Sequence, residues 1–175
     1  AGCATVGGRI ALIERHLMGG DCLNVGCVPS KGLIRAARAW SDLTHAEEFG
    51  LHIPAGVKYD FGQAMARMRK LRARISHNDS VHRYTKLGVD VYIGSGRFTR
   101  GNTIQVEGPA GNRTLIFAKA AICTGARASA PPTPGLKEAG YLTNETVFSL
   151  TDLPPRIGVI GAGPIGCELA QSFAR

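Results

Sequence analysis

The sequence predicts an α/β fold, because short apolar strands alternate along the chain with amphipathic helices and glycine-rich turns. Residues 9–14 form an apolar run that ends in an acidic side chain, Glu14. Near the other end, apolar residues 156–160 lead into the pattern G-x-G-x-x-G, which a helical pattern follows. Both features are typical of Rossmann-like dinucleotide-binding domains. We therefore expect one such domain, truncated at its N-terminus, and the start of a second.

The first half of the chain is predicted to be mainly helical. An acid such as Glu14 normally follows a glycine fingerprint by about 20 residues, and no such fingerprint precedes it here. We therefore expect a fragment in which residues 1–6 are the end of a helix that Gly7 and Gly8 terminate. Helices are expected near residues 31–40 and over most of 61–87, with a loop at 50–58.

The second half is predicted to be richer in strands. Strands are expected at residues 89–93, 103–106 and 114–123, with Gly- and Asn-rich turns between them. A loop rich in Pro and Gly follows at 124–135, and Pro154 with Pro155 indicates a boundary. The expected division is therefore one domain over residues 1–153 and the start of another over 154–175.

The composition is that of an ordinary globular protein, with 44% hydrophobic and 19% charged residues among 175. The net charge of +8 suggests nucleic-acid binding, but much of the excess lies on one predicted amphipathic helix. Its basic residues are Arg67, Arg69, Lys70, Arg72 and Arg74. No aromatic residues interleave with them, so we expect a solvated face and no nucleic-acid partner. No apolar run approaches the roughly 18 residues that a membrane helix needs.

Cys22 and Cys27 stand five positions apart in the segment GGDCLNVGCVPSK, residues 19–31. In a regular α-helix their Cα atoms would lie about 8.6 Å apart, whereas disulfides usually need less than about 7 Å. A bond between them requires a distorted turn, which Gly26 and Pro29 would permit. Spacing alone leaves open a strained redox disulfide, two unconnected thiols or half of a zinc site. The histidines add no ligand-like spacing, so no metal site is expected.

The whole segment resembles the redox-active segment of the flavoprotein pyridine nucleotide–disulfide oxidoreductases, the family of dihydrolipoamide dehydrogenase, glutathione reductase and mercuric reductase. The family pattern is G-G-x-C-x-N-x-G-C-x-P-[SK]-K, and every fixed position is present. Asp21 replaces the usual Thr before the first Cys. The resemblance extends along the whole chain. It implies a Rossmann-like FAD-binding domain over residues 1–153 and the start of an NAD(P)-binding domain over 154–175.

The resemblance assigns the chemistry to three residues. The thiol at the Cys22 position attacks the substrate, and the thiol at the Cys27 position lies against the flavin, the two forming the redox disulfide. The lysine at the Lys31 position lies beside the reactive edge of the flavin, where a fixed cation stabilises reduced, anionic flavin. Glu168 matches a family glutamate that approaches this lysine.

Further residues match positions that contact FAD. Glu14 suits the acid that hydrogen-bonds a ribose hydroxyl. Gly96 matches a backbone contact to the adenine end of FAD, the alternative being a plain turn glycine. The family's A-T-G-[AS] segment, which passes close to FAD, is matched by Thr124, Gly125 and Ala126. Cys123 replaces the Ala of that segment, and we expect it to be a small buried residue.

The pattern G-x-G-x-x-G predicts a second dinucleotide site, for NAD(P)H. Its glycines are Gly161, Gly163 and Gly166. They permit a tight turn that places a pyrophosphate at the N-terminus of the following helix, and Glu168 lines the same side. The residue that distinguishes NAD from NADP is expected about 20 residues further on.

The predicted activity is an NAD(P)H oxidoreductase in which electrons pass to FAD, then to the Cys22–Cys27 disulfide and then to a small substrate. The segment GYLTNETVF, residues 140–148, resembles bacterial mercuric reductases and mercuric-reductase-like proteins, which implies reduction of Hg(II) to Hg(0). Alternatives are a dihydrolipoamide dehydrogenase or other disulfide reductase and, in another class, a non-catalytic FAD-binding module. Family members are cytoplasmic homodimers, and we expect the same of the full-length protein.

Overall fold

The computed structural model describes residues 1–175 and divides into two compact units. Unit 1 comprises Ala1–Gly20 and Ile75–Ala126, and unit 2 comprises Asp21–Arg74 and Arg127–Arg175. Helices and two sheets are both present, which confirms the α/β class. The units are each assembled from two stretches of chain, whereas the predicted domains are consecutive along the sequence. The domain boundary after residue 153 stays a prediction.

The chain contains seven α-helices and five strands. The helices are α1 (Gly2–Thr5), α2 (Gly20–Val25), α3 (Cys27–Thr44), α4 (Phe61–Ser76), α5 (Val81–Lys86), α6 (Leu136–Ala139) and α7 (Pro164–Ala174). The strands are β1 (Ile10–Glu14), β2 (Val89–Ile93), β3 (Ser95–Arg100), β4 (Thr103–Glu107) and β5 (Arg113–Ile116). Short 3₁₀ helices occur at Ala46–Phe49, His77–Asp79 and Val147–Ser149.

Unit 1 holds both sheets. Strands β1 and β2 pair in parallel, with Glu14 opposite Ile93 at one end, and β3, β4 and β5 form an antiparallel sheet in that order. Val89 on β2 and Val106 on β4 are each only 2% exposed and form part of the core. Helix α1 ends before Gly7, which has a φ of +86° that glycine adopts without strain. The predicted helix end at this point is confirmed.

Unit 2 is helical and contains the largest buried cluster. Met65 and Met68 on α4 have no exposed surface, and they pack with apolar residues of α3, α7 and the Val147–Ser149 turn. The cluster is completed by Leu33, Phe61, Val147, Phe148 and Leu169. Leu169 of α7 and Leu33 of α3 thus pack in one buried cluster, which fixes the position of these two helices relative to each other.

Three strand predictions differ from the structure. Residues 95–100 form β3, where the sequence predicted a turn, and β5 ends at Ile116 instead of continuing to residue 123. Residues 156–160 form no strand, and Ile157, Val159 and Ile160 are at least 40% exposed. An apolar run indicates side chains suited to a sheet, but a strand also needs a hydrogen-bonded neighbour, and no strand of this chain pairs with residues 156–160.

The basic face of α4 is also different from the prediction. Arg67, Lys70 and Arg74 are exposed, as expected for a solvated face, but Arg69 and Arg72 are only half-exposed. These two guanidinium groups donate hydrogen bonds to backbone carbonyls of unit 2. These two arginine side chains therefore hold backbone segments of unit 2 together and do not form part of a solvated face.

None of the helices is both long enough and apolar enough to cross a membrane.

Candidate active site

Cys22 and Cys27 lie on two helices that meet at Gly26. Cys22 is on α2, Cys27 is the first residue of α3, and the backbone at Gly26 departs from helical geometry with φ −134° and ψ −117°. Both cysteines are exposed. The predicted distortion of the helix between them is confirmed, and the disulfide itself stays a prediction.

Gly26 brings the two helices close because it has no side chain. A Cβ atom at this position would lie 2.8 Å from the Asp21 carbonyl oxygen and 3.1 Å from Cys22 Cα. Real Cβ atoms do not come within 2.8 Å of another heavy atom, so any residue with a Cβ would push α2 away from the start of α3. The backbone around Cys22 thus packs directly against the residue before Cys27.

Lys31 and Glu168 form an ion pair that joins α3 to α7. The Lys31 ammonium lies 2.7 Å from both Glu168 carboxylate oxygens. Lys31 follows Cys27 by four residues on the same helix, so the two side chains are neighbours on one helical face. The approach of Glu168 to the lysine, inferred from the resemblance, is confirmed at a separation of 137 residues along the chain.

Two side chains bind the end of α2, and sequence analysis missed both. The Arg72 guanidinium donates a hydrogen bond of 3.0 Å to the Asn24 carbonyl. The Asn144 amide donates to the Val25 carbonyl over a longer distance, 3.4 Å. Pro29 was the available signal: proline has no N–H, so a helix running through Gly26 would leave the Val25 carbonyl without its donor four residues later.

Arg127 forms a second ion pair in unit 2, with Glu145. The hydrogen bond from Arg127 to Glu145 raises the pKa of the guanidinium, and attraction by the Glu145 and Asp21 charges adds to the effect. Asp21 is the residue that replaces the family's Thr before Cys22. Attraction by Asp21 is the smallest of these contributions.

In unit 1, Glu14 is the last residue of β1 and Gly96 lies on β3. The Glu14 carboxylate accepts a hydrogen bond of 2.8 Å from the His16 N–H, and its carbonyl accepts one from the Gly94 N–H. Gly96 lies on β3, not in a turn, and a Cβ there would be 3.0 Å from Ile104 Cδ1 and 3.4 Å from Ile13 Cγ2. A carboxylate at the end of a parallel strand fits the ribose contact expected for FAD, and the contact of Gly96 with FAD stays a prediction.

Residues 123–126 are exposed and belong to no strand or helix. Gly125 adopts a φ of +72°, which favours glycine. The prediction that Cys123 is buried is wrong, because β5 ends at Ile116 and no sheet covers the following residues. The contact of Thr124, Gly125 and Ala126 with FAD stays a prediction.

The G-x-G-x-x-G segment forms the turn into α7, in unit 2. Gly161 has a φ of +105°, Gly163 is the N-cap, and Pro164 begins the helix. A Cβ at Gly166 would lie 2.6 Å from the Gly161 carbonyl oxygen, so the third glycine lets the helix pack against the turn. A glycine turn at the N-terminus of an 11-residue helix fits a dinucleotide pyrophosphate.

The predicted residues therefore form two groups. Glu14, Gly96 and residues 124–126 are in unit 1. The second group, in unit 2, comprises Cys22, Cys27, Lys31, Glu168, Gly161, Gly163 and Gly166. No three of the His, Cys, Asp and Glu side chains are grouped as metal ligands would be.

A family model and several curated relatives match this chain along most of its length. The profile described as "Pyridine nucleotide-disulphide oxidoreductase" matches residues 2–175. A mercuric reductase of Bacillus cereus is 35% identical over 94% of this chain and 25% of its own length. A dihydrolipoyl dehydrogenase of Acholeplasma laidlawii is 31% identical over 97% of this chain and 50% of its own. The chain thus spans half or less of the length of these curated relatives.

A solved structure shows a similar backbone. The HOCl-induced flavoprotein disulfide reductase RclA from Escherichia coli superposes with a TM-score of 0.79 at 29% sequence identity. The match covers 99% of this chain and 36% of RclA. The similarity therefore extends over both stretches of each unit.

Proposed function

The chain belongs to the pyridine nucleotide-disulphide oxidoreductase family, and from this premise we propose that it is part of an NAD(P)H-dependent flavoprotein of the mercuric-reductase-like branch. Family members use FAD and NAD(P)H. The observation that carries the proposed oxidoreductase chemistry is the Lys31–Glu168 ion pair, which lies one helical turn from Cys27 and joins the cysteine-bearing helix to the helix of the glycine turn. The branch is proposed from the similarity to the mercuric reductase of Bacillus cereus, at 35% identity.

The proposed cofactor contacts follow the two groups of residues. Glu14, Gly96 and residues 124–126 bind FAD, within a domain of residues 1–153. Gly161, Gly163 and Gly166 bind the pyrophosphate of NAD(P)H at the start of α7, within a second domain that begins at residue 154. When bound, FAD supplies a carrier that accepts two electrons as a hydride from NAD(P)H and releases them to a disulfide.

Residues of this chain stabilise the charges that develop during the reaction. Cys27 is the first residue of the 18-residue helix α3, and the N-terminus of a helix stabilises a negatively charged group beside it. Lys31 supplies a positive charge on the same face, and Glu168 holds the ammonium with both carboxylate oxygens. Cys22, on the exposed side of α2, is the thiol available to a substrate.

The proposed cycle balances in two steps. NAD(P)H, one proton and the Cys22–Cys27 disulfide give NAD(P)⁺ and two thiols. The two thiols then pass two electrons to the acceptor and form the disulfide again, releasing two protons. With Hg(II) as the acceptor, the product is Hg(0).

Removal of the Lys31 charge tests this arrangement. Lys31→Met is expected to lower kcat about 10²-fold, because a fixed cation at the reaction centre is lost. Glu168→Gln is expected to lower it less, about tenfold, since the lysine remains but is no longer held. The side chains are 60% and 39% exposed, so the free energy of unfolding should change by no more than about 1 kcal/mol. Steady-state kinetics and denaturant unfolding measure the two effects, and unchanged kcat in both variants would contradict the proposal.

The acceptor is tested on the protein from the complete reading frame. NAD(P)H oxidation is measured anaerobically with Hg(II) plus excess thiol, and separately with oxidised lipoamide. Turnover with Hg(II) that is lost in Cys22→Ser and Cys27→Ser supports the mercuric-reductase-like branch. If NAD(P)H reduces the flavin but Hg(II) gives no turnover, the family assignment stands and a compound other than Hg(II) is the electron acceptor.

Oxidised lipoamide is the second candidate acceptor. The similarity to the Acholeplasma dihydrolipoyl dehydrogenase, at 31% identity, favours it. Turnover with lipoamide and none with Hg(II) would assign the chain to that branch.

The full-length protein is further proposed to be a cytoplasmic homodimer, as family members are. Sedimentation of the protein from the complete reading frame measures the assembly, and a monomer at assay concentration would contradict the proposal. Fractionation of the source cells measures the compartment.

A further inference from the structure

The two cysteine-bearing helices are joined through a third helix, α4. A Cβ at Gly32 of α3 would lie 3.1 Å from Met68 Cγ, so α3 and α4 are packed in direct contact at this point. Met68 has no exposed surface and belongs to the main buried cluster. One turn further along α4, Arg72 donates its hydrogen bond to the Asn24 carbonyl of α2. Helix α4 therefore contacts both the helix of Cys27 and the helix of Cys22.

The Arg72 contact is at the end of α2 that faces Gly26. Carbonyls at the C-terminus of a helix lack partners within the helix, and arginine side chains can bind them. Asn144 binds the next carbonyl, that of Val25, from the segment 143–146. Hydrogen bonds between Thr143 and Thr146 fix the local turn of this segment. The last turn of α2 is thus held from two sides.

We propose that Arg72, with Asn144, is a positioning residue for the disulfide step: it holds the Cys22-bearing helix against the start of α3 while the bond between Cys22 and Cys27 opens and closes. This inference rests on the proposed function. A helix of six residues has little stability of its own. Without the Arg72 contact the end of α2 is freer to move in the dithiol state, and closing the disulfide must then restrict that motion.

The expected consequence is a less favourable disulfide. Thiols that are already held close form a disulfide with a larger equilibrium constant, because less conformational freedom is lost on closure. Arg72→Gln is expected to lower the equilibrium constant for disulfide formation about tenfold, since a hydrogen bond from a charged donor is lost. A tenfold change corresponds to a rise of about 30 mV in the two-electron potential. Asn144→Ala, which removes the longer contact, should lower it about two- to threefold.

The test uses the protein from the complete reading frame, equilibrated with mixtures of reduced and oxidised glutathione. In the measured reaction, the protein dithiol and oxidised glutathione give the protein disulfide and two reduced glutathiones, and alkylation followed by mass spectrometry counts the remaining thiols. Arg67→Gln is the matched control, because it removes the same charge from the exposed face of α4. Its equilibrium constant should equal that of the wild type. Arg72→Lys should restore part of the difference.

The outcomes separate the inference from the proposed function. If the wild type forms no intramolecular Cys22–Cys27 disulfide at any ratio, the proposed function fails. If it forms one, and folded Arg72→Gln has the wild-type equilibrium constant or the same value as Arg67→Gln, the positioning role is wrong. If Arg72→Gln does not fold, the test uses Asn144→Ala instead. An equilibrium constant for disulfide formation equal to that of the wild type in Asn144→Ala would then overturn the inference.

Discussion

Replacement of Cys27 with serine is expected to abolish acceptor-dependent NAD(P)H oxidation, by about 10⁴-fold or more. Serine has nearly the same size, but it cannot form a disulfide, so no two-electron exchange with the acceptor can follow. Cys27 is exposed at the first position of α3, where no buried contact depends on its sulfur. When the wild type is reduced, so that neither protein has the disulfide, the free energy of unfolding should therefore be the same for both. Anaerobic steady-state kinetics of the protein from the complete reading frame measure the effect.

Cys3→Ser is the matched control for this experiment. Cys3 is also exposed, but it lies on α1 in unit 1, outside the cysteine segment and the proposed cofactor contacts, and its replacement should leave turnover unchanged. Equal turnover of Cys27→Ser and the wild type would contradict the proposed enzyme. It would favour the alternative, a non-catalytic FAD-binding module, because such a module loses nothing measurable when the thiol is removed.

The local features of the site could be predicted from the sequence. Spacing alone showed that Cys22 and Cys27 could approach only if the helix between them was distorted, and the structure breaks the helix at Gly26. The Lys31–Glu168 pair could be predicted from motif positions, although 137 residues separate the two. In both cases the feature could be predicted because the motif requires one residue type at one position.

Features that depend on distant partners were missed. The sequence shows Arg72 as one of several arginines on a polar helix face, and nothing in that pattern specifies the Asn24 carbonyl that it binds. Strands likewise depend on a partner strand that is distant in the sequence. The apolar residues 156–160 have the composition of a strand, whereas residues 95–100, with two arginines and a glycine, form one because β4 pairs with them.

The second large effect is expected at Gly166, where the α7 helix packs on the glycine turn. A Cβ here would lie 2.6 Å from the Gly161 carbonyl oxygen and 3.3 Å from Val159 Cγ1. The turn cannot yield easily, because Gly161 already adopts a φ of +105° that other residues rarely adopt. Even alanine must therefore displace the start of α7. This helix also carries Glu168, so the displacement affects the partner of Lys31 as well as the proposed pyrophosphate site.

Gly166→Ala is accordingly expected to lower the rate of NAD(P)H oxidation about 10²-fold, since a displacement of about 1 Å at a binding site costs this much. Rapid mixing of the flavin-loaded protein with NAD(P)H measures the rate before any acceptor is added. Gly158→Ala is the control, because a Cβ there meets no atom within 4 Å and its rate should be that of the wild type. Normal NAD(P)H oxidation by Gly166→Ala would show that the glycine turn does not hold the nucleotide.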